Sequence, residues 1–172
     1  MGSSTVIWRC IARIIPLDIR DNIIYNITMK IVLDTNVVLS ALISKRGASN
    51  LLLRWLFRSG KKHAVVSNTL VTEYEDVLTR NSSMVQFNDL SREDVLRFVD
   101  DICLIAHHQA IHFRWRPYLP DEKDDMVLEV AVNANVDGIV TFNPKDFQGV
   151  EALFDIKILT PQAYLKHVGV LT

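Results

Sequence analysis

Acidic residues stand at four separated points of this 172-residue chain, each next to a short apolar run or on the border of an apolar helical face. Asp34 closes the run Ile31-Val32-Leu33, and Glu73 and Glu75 follow Ala64-Val65-Val66. Asp121, Asp124 and Asp125 precede the apolar stretch Met126–Ala134, while Asn143 and Asp146 follow Ile139-Val140-Thr141. Carboxylates brought together from separate segments repel one another unless a cation lies between them. Hard oxygen donors of this kind suit Mg²⁺ or Mn²⁺. Each acid also has an ordinary reading. Asp34-Thr35-Asn36 could be a capped strand-to-helix turn, the acids at 121–125 could serve the N-terminal dipole of a helix, and Asn143–Asp146 could be a turn. Glu73 and Glu75 border the same apolar helical face on opposite sides, so periodicity does not choose between them.

The elements that would position these acids alternate between strand and helix. Ile31–Leu33, Ala64–Val66, Gly138–Thr141 and Ile156–Leu159 read as short buried strands. Helices are expected over Val37–Ile43, with Asn36 as a cap, and over Leu51–Phe57, stopped at Ser59-Gly60. A third follows the cap Ser67-Asn68 with Leu70, Val71, Tyr74, Val77 and Leu78 at helical spacing. Ser91-x-x-Asp94 resembles a capping box and opens a helix to about Leu104, and Met126–Ala134, apolar on almost every side, reads as a buried helix. Thr160-Pro161 starts the last helix with a cap and a proline at the first helical position. The stretch His107–Tyr118 has room for one short strand. The alternation argues for an α/β sandwich around a mostly parallel sheet, in which ligands bind beyond the carboxyl ends of the strands.

Composition narrows the function classes. Apolar residues make up 49% and charged residues 23%, which is globular rather than disordered, and the length suits one domain. A formal net charge of −1 gives no global field for nucleic acid and argues against a passive coat-like binder. Cys10 and Cys103 form no CxxC or Cys/His cluster, so a structural zinc site is not expected, and the usage suits a reducing cytoplasm. His107, His108 and His112 lack a third ligand at zinc spacing. No run reaches the roughly 18 apolar residues that span a membrane. Residues 1–28 differ in composition from the rest of the chain and read as an N-terminal extension, with the domain at 29–168 and a tail at 169–172.

Three motifs, in order and spacing, resemble the PIN-domain family, and within it the VapC-like ribonuclease toxins of toxin–antitoxin systems. Lys30–Ile43 (KIVLDTNVVLSALI) is similar to the opening strand, acid and helix, and Ser67–Arg80 (SNTLVTEYEDVLTR) to the second motif, in which the acid is Glu73. Asp121–Phe147 (DEKDDMVLEVAVNANVDGIVTFNPKDF) is similar to the third and fourth motifs in one run. The family's third acid is followed by two aliphatics at its third and fourth positions and by Ala at its seventh. Asp124 meets that pattern with Val127, Leu128 and Ala131, while Asp125 remains a neighbour in place of it or beside it. Many relatives carry Asp where this chain has Asn143, and Asp146 stands three residues on.

The resemblance implies a three-layer α/β/α sandwich with a central, mostly parallel sheet of four to five short strands. It implies a metal-dependent endoribonuclease using Mg²⁺ or Mn²⁺, with Asp34, Glu73, Asp124 and Asp146 as catalytic and metal-holding acids. Thr35, Asn36, Ser67, Thr141 and Asn143 would orient those carboxylates. Lys45, Arg46, Arg114, Arg116 and Lys145 are the main expected contacts to RNA, with Arg54, Arg58, Lys61 and Lys62 as further candidates and Trp115 available for base stacking. A protein antitoxin and a homodimer are expected on the same grounds. Two other classes compete. An Asp-nucleophile phosphatase needs a DxD, whose second Asp is Asn36 here; a catalytically inactive PIN-fold binding module is kept in view by Asn143.

Overall fold

The computed structural model describes residues 29–59, 62–87 and 90–171. Residues 1–28, expected to be an N-terminal extension and including Cys10, lie outside the described residues, as do the Gly60 stop and Lys61. Among the described residues five short strands alternate with helices: β1 (Ile31–Leu33), β2 (Val65–Val66), β3 (His107–His108), β4 (Gly138–Val140) and β5 (Lys157–Leu159). The helices are α1 (Thr35–Ile43), α2 (Ala48–Ser59), α3 (Asn68–Leu78), α4 (Asn81–Met84), α5 (Arg92–Ile105), α6 (Glu122–Asn133), α7 (Val150–Phe154) and α8 (Pro161–His167), with a 3-10 turn at Pro144–Phe147.

Among the described residues all strand pairings are parallel. β1 pairs β4 with Val32 opposite Ile139, β4 pairs β5 with Ile139 opposite Ile158, and β2 pairs β3 with Val65 opposite His107. A parallel bridge between Ile31 and Ala64 joins the two groups, with the Ile31 N–H donating to His63 O at 2.8 Å. The spatial order is therefore β3-β2-β1-β4-β5. From β1 the chain moves to β2 and β3 on one side, and from β4 to β5 on the other. The connections thus diverge between β1 and β4, the switch point at which an open α/β sheet leaves a crevice for ligands.

Strands of two or three residues make few ladder bonds, each worth only about 1 kcal/mol net. Burial does more: Ile31, Val32, Leu33, Val65, Val66, Ile139 and Val140 are all buried, each contributing roughly 1.5–3 kcal/mol. α6 packs on β1, β2 and β4, and α8 on β5 and α2. Two buried polar contacts fix the helices near the first strand. The Tyr74 hydroxyl on α3 donates to the Leu33 carbonyl, and Asn50 Nδ2 on α2 donates to Ala41 O at 3.0 Å.

Several local expectations hold and others shift. Ser91 and Asp94 form the reciprocal capping box, Ser67 caps α3 through the Leu70 N–H, and Thr160 caps α8 with Pro161 next. The cap of α1 is Asp34 rather than Asn36, so the helix begins at Thr35. α2 begins at Ala48, three residues ahead of the apolar run that marks it in the sequence. Arg54, a candidate RNA contact, is buried in α2 at 6% exposure.

The helix expected to be buried and apolar on almost every side has its apolar residues Val127, Leu128, Val130 and Ala131 buried, and carries a polar stripe on its remaining side. Asp125, Glu129 and Asn133 recur every fourth residue on α6, and all three grip the backbone of one extended segment. Asn133 Oδ1 accepts from the N–H groups of His112 and Phe113 at 2.9 and 3.0 Å. Glu129 Oε1 accepts from the Trp115 N–H at 3.2 Å. Asp125, fully buried, accepts from the Leu119 N–H at 2.8 Å and from Tyr118 at 3.3 Å. The guanidinium of Arg116 also forks onto Glu129, Nε and Nη2 both at 2.9 Å, which satisfies an acid only 3% exposed. Replacing Asp125 by Ala leaves buried N–H groups without an acceptor and should lower stability by about 1–3 kcal/mol. Urea denaturation checks this, and an unchanged midpoint would show that the segment is held by other means.

Candidate active site

The switch point is occupied by a closed polar group. Asp34 ends β1 and Thr141 follows β4, and their backbones are joined by the Asp34 N–H bonded to Val140 O at 2.9 Å. The Thr141 hydroxyl, fully buried, donates to Asp34 Oδ2 at 2.6 Å. Asn36 Nδ2 donates to the same oxygen at 2.6 Å and lies 3.2 Å from the Thr141 hydroxyl. Asn36 Oδ1 in turn accepts from the Phe142 N–H at 3.3 Å, and Thr141 Oγ1 from the Asn143 N–H at 3.0 Å. One carboxylate oxygen is thus clamped by two side-chain donors. The other, Oδ1, accepts the longer 3.4 Å bond from the Asn36 N–H of the helix cap. Burial raises the Asp34 pKa despite the hydrogen bonds from Thr141, Asn36 and the Thr35 N–H that favour the anion.

Asp124 sits in the first turn of α6, with Asp121 as the cap accepting from the Lys123 N–H at 3.0 Å. Its pKa is pushed up to about 6, first by burial and then by the negative charges of Asp34, Asp121, Asp146 and Asp125. Asp146, half-buried on the 3-10 turn after β4, therefore belongs to the same electrostatic group. Of the acids predicted on three separate segments, Asp34 and Asp146 both act on Asp124.

The remaining predicted residues divide. Glu73 is half-buried on α3, immediately before Tyr74, whose hydroxyl reaches the residue preceding Asp34. Among the described residues no hydrogen bond or ion pair ties Glu73 to the other acids. Glu75 acts on Cys103 of α5 and so stands on a different side of α3. Ser67 is buried as the α3 cap and supports Glu73 through the helix rather than by contact. The Asn143 side chain makes no cap bond to the turn it opens. Asp125 turns to the backbone of Tyr118 and Leu119, and Arg116 to Glu129, whereas Lys45, Arg46, Arg114 and Lys145 are exposed. Sequence reasoning passed over Glu129 and Asn133; their spacing of four from Asp125 within an apolar run was the available signal.

The PIN-domain family profile matches residues 30–145, more than half of the chain. The chain belongs to the PIN-domain family. No curated protein matches it. PIN domains are generally nucleases and generally use divalent metals, and this chain has their α/β arrangement with a small sheet. The matched region ends at Lys145, so Asp34, Glu73 and Asp124 lie inside it and Asp146 one residue beyond. No helix among the described residues is long and apolar enough to cross a membrane.

The residues present fit a hard divalent cation in their chemistry, because Asp124 feels the negative charge of Asp34, Asp121, Asp146 and Asp125 at a strand-end crevice. Among the described residues, no three His, Cys, Asp or Glu side chains form a ready-made metal-holding group. The raised pKa of Asp124 has a direct consequence for the metal-free protein. Its folded value of about 6 lies above the ordinary 3.8, so the folded state holds a proton that the unfolded chain releases between those values. The contribution of this group to stability is therefore greatest below the ordinary value and is lost as pH rises to about 6. Asp124→Asn should flatten that fall, as read by melting temperature against pH in chelator. Identical pH profiles for the two proteins would contradict the placement of Asp124 among like charges.

Proposed function

We propose that this PIN domain is a metal-dependent endoribonuclease and the toxin of a toxin–antitoxin pair. The observation that supports it most is the clamped Asp34 at the β1/β4 switch point, whose charge acts on Asp124 together with that of Asp146. Mg²⁺ or Mn²⁺, when bound, would lower the pKa of a water and neutralise charge on the phosphoryl oxygens. Asp34, Glu73 and Asp124 would hold it, with Asp34 Oδ2 kept in orientation by Thr141 and Asn36. Asp146, on the rim of the group, would orient the attacking water and take its proton. The exposed Lys45, Arg46, Arg114 and Lys145 would meet the RNA phosphates. A small antitoxin that covers the acidic crevice, a homodimer and a cytoplasmic setting complete the reading.

A second reading, a PIN-fold binding module without catalysis, is favoured by Asn143, an amide where many relatives carry a carboxylate. Cleavage separates the two. Wild-type protein with Mn²⁺ should cut single-stranded RNA, and chelator should stop it. Asp34→Asn and Asp124→Asn should each reduce the rate about 100-fold or more, equivalent to roughly 2.7 kcal/mol of transition-state stabilisation. Thr141→Val, which removes one clamp, should lower activity or metal affinity about 10–100-fold. RNA left intact by wild type under every metal tested, together with no metal binding by calorimetry, would defeat the nuclease reading.

A further inference from the structure

Asp34 is held by more than the clamp on its carboxylate. The peptide group that joins Leu33 to Asp34 is bonded at both ends. Its N–H donates to Val140 O of β4 at 2.9 Å, and its carbonyl accepts from the Tyr74 hydroxyl of α3. Successive strand residues turn their backbone groups to opposite neighbours. Ile31 faces β2, through its N–H on His63 O, and Asp34 faces β4, so Leu33 presents its carbonyl on the β2 side. Ile31 is bridged there to Ala64, but the chain that would continue the ladder turns away, because Ser67 is already the cap of α3. Tyr74, about two turns along that helix, returns with the donor that a further strand residue would have supplied.

Tyr74 is wholly buried, and among the described residues no other hydrogen bond joins α3 to β1. Burial first, and then the negative charge of Asp34, raise the pKa of its hydroxyl, so it stays a donor and lies within reach of that charge. A peptide bonded through its N–H alone can still tilt about that bond. A second bond at the carbonyl, from the opposite side, removes the freedom and with it a change in the direction from which the Asp34 side chain sets out. The Thr141 and Asn36 donors then fix the far end at Oδ2, which leaves Oδ1 with only the 3.4 Å bond from the Asn36 N–H.

We propose that Tyr74 is a positioning residue for the acidic crevice. By holding the Leu33–Asp34 peptide from the side opposite β4, it keeps the Asp34 carboxylate in the orientation from which it would hold a divalent cation. Only the use of Asp34 as a metal ligand rests on the nuclease reading; the orientation itself is a property of the metal-free chain.

Tyr74→Phe removes the hydroxyl and keeps the ring. Val150→Ala, at a buried position on α7, which packs on β5, serves as the control for lost stability. Melting temperatures establish that each full-length variant is folded. Amide hydrogen exchange, followed by NMR in chelator, should quicken at Asp34 about 2–10-fold relative to Leu128 in Tyr74→Phe, as expected for one lost hydrogen bond. In Val150→Ala the two amides should keep step. Calorimetric titration with Mn²⁺ should show binding about 10-fold weaker in Tyr74→Phe and unchanged in Val150→Ala. Exchange at Asp34 that keeps step with Leu128 in Tyr74→Phe would overturn the positioning role, as would wild-type affinity for Mn²⁺ in that variant. Equal weakening in Val150→Ala would assign the effect to stability and overturn it too. Each of these results leaves the nuclease reading standing where wild type cleaves RNA. Selective exchange at Asp34 in a protein that binds no Mn²⁺ would uphold the hold of Tyr74 on Asp34 and defeat the nuclease reading.

Discussion

The hydrogen bond between Thr141 and Asp34 joins two residues 107 positions apart at the one place where the strand connections diverge. Desolvation works against the Asp34 anion, and it is kept in place by donors that converge from β4 and α1. Loss of either donor would leave a buried charge with weaker compensation, so this pair constrains both the register of β1 on β4 and the entry into α1. The N-cap geometry of Asp34 follows from the same contacts. Capping and acid placement are therefore one arrangement seen from two sides, and the ordinary reading of this turn does not compete with the functional one.

α6 has two roles. Its first turn places Asp124 among the charges of Asp34, Asp121 and Asp146, which raises its pKa even though a helix N-terminus favours an anion. Burial and like charge outweigh the dipole. One residue later Asp125 begins the stripe that holds the segment from His112 to Leu119. Two adjacent aspartates thus have opposite fates: one faces other acids, and the other is satisfied by backbone N–H groups. The helix carries both because consecutive side chains point about 100° apart around its axis.

Much of this was legible in the chain. The strands Ile31–Leu33 and Gly138–Val140 are continuous apolar runs, and the caps at Ser67, Ser91 and Thr160 are local patterns with local partners. Their outcome depends on neighbours within a few residues. The choice of Asp34 over Asn36 as cap could not be read in that way. Both residue types cap well, and the decision is made by Thr141 and Phe142, which engage the Asn36 side chain from across the sheet. Glu129 was obscured for a similar reason. Its partner Arg116 lies 13 residues away on a segment without periodicity, so an acid that looks misplaced in an apolar helix is satisfied only in three dimensions. The choice of Glu73 over Glu75 came from the family motif; in the fold it is Glu75 whose charge reaches α5.

The weakest corner of the acidic group is the end of β4, and its geometry suggests why an amide is tolerated there. Asn143 meets the site through its backbone: its N–H donates to the Thr141 hydroxyl, which in turn donates a hydrogen bond to Asp34. That role needs no carboxylate. The 3-10 turn after it brings Asp146 round to a half-buried position from which its charge acts on Asp124. A carboxylate at 143 would add a further negative charge near Asp124, whose pKa burial and the neighbouring acids already raise, whereas Asp146 supplies that charge from farther along the chain. The turn Pro144–Phe147 is anchored by Phe147, which is buried in the core, so the position of Asp146 is set by packing and not left to a loose loop.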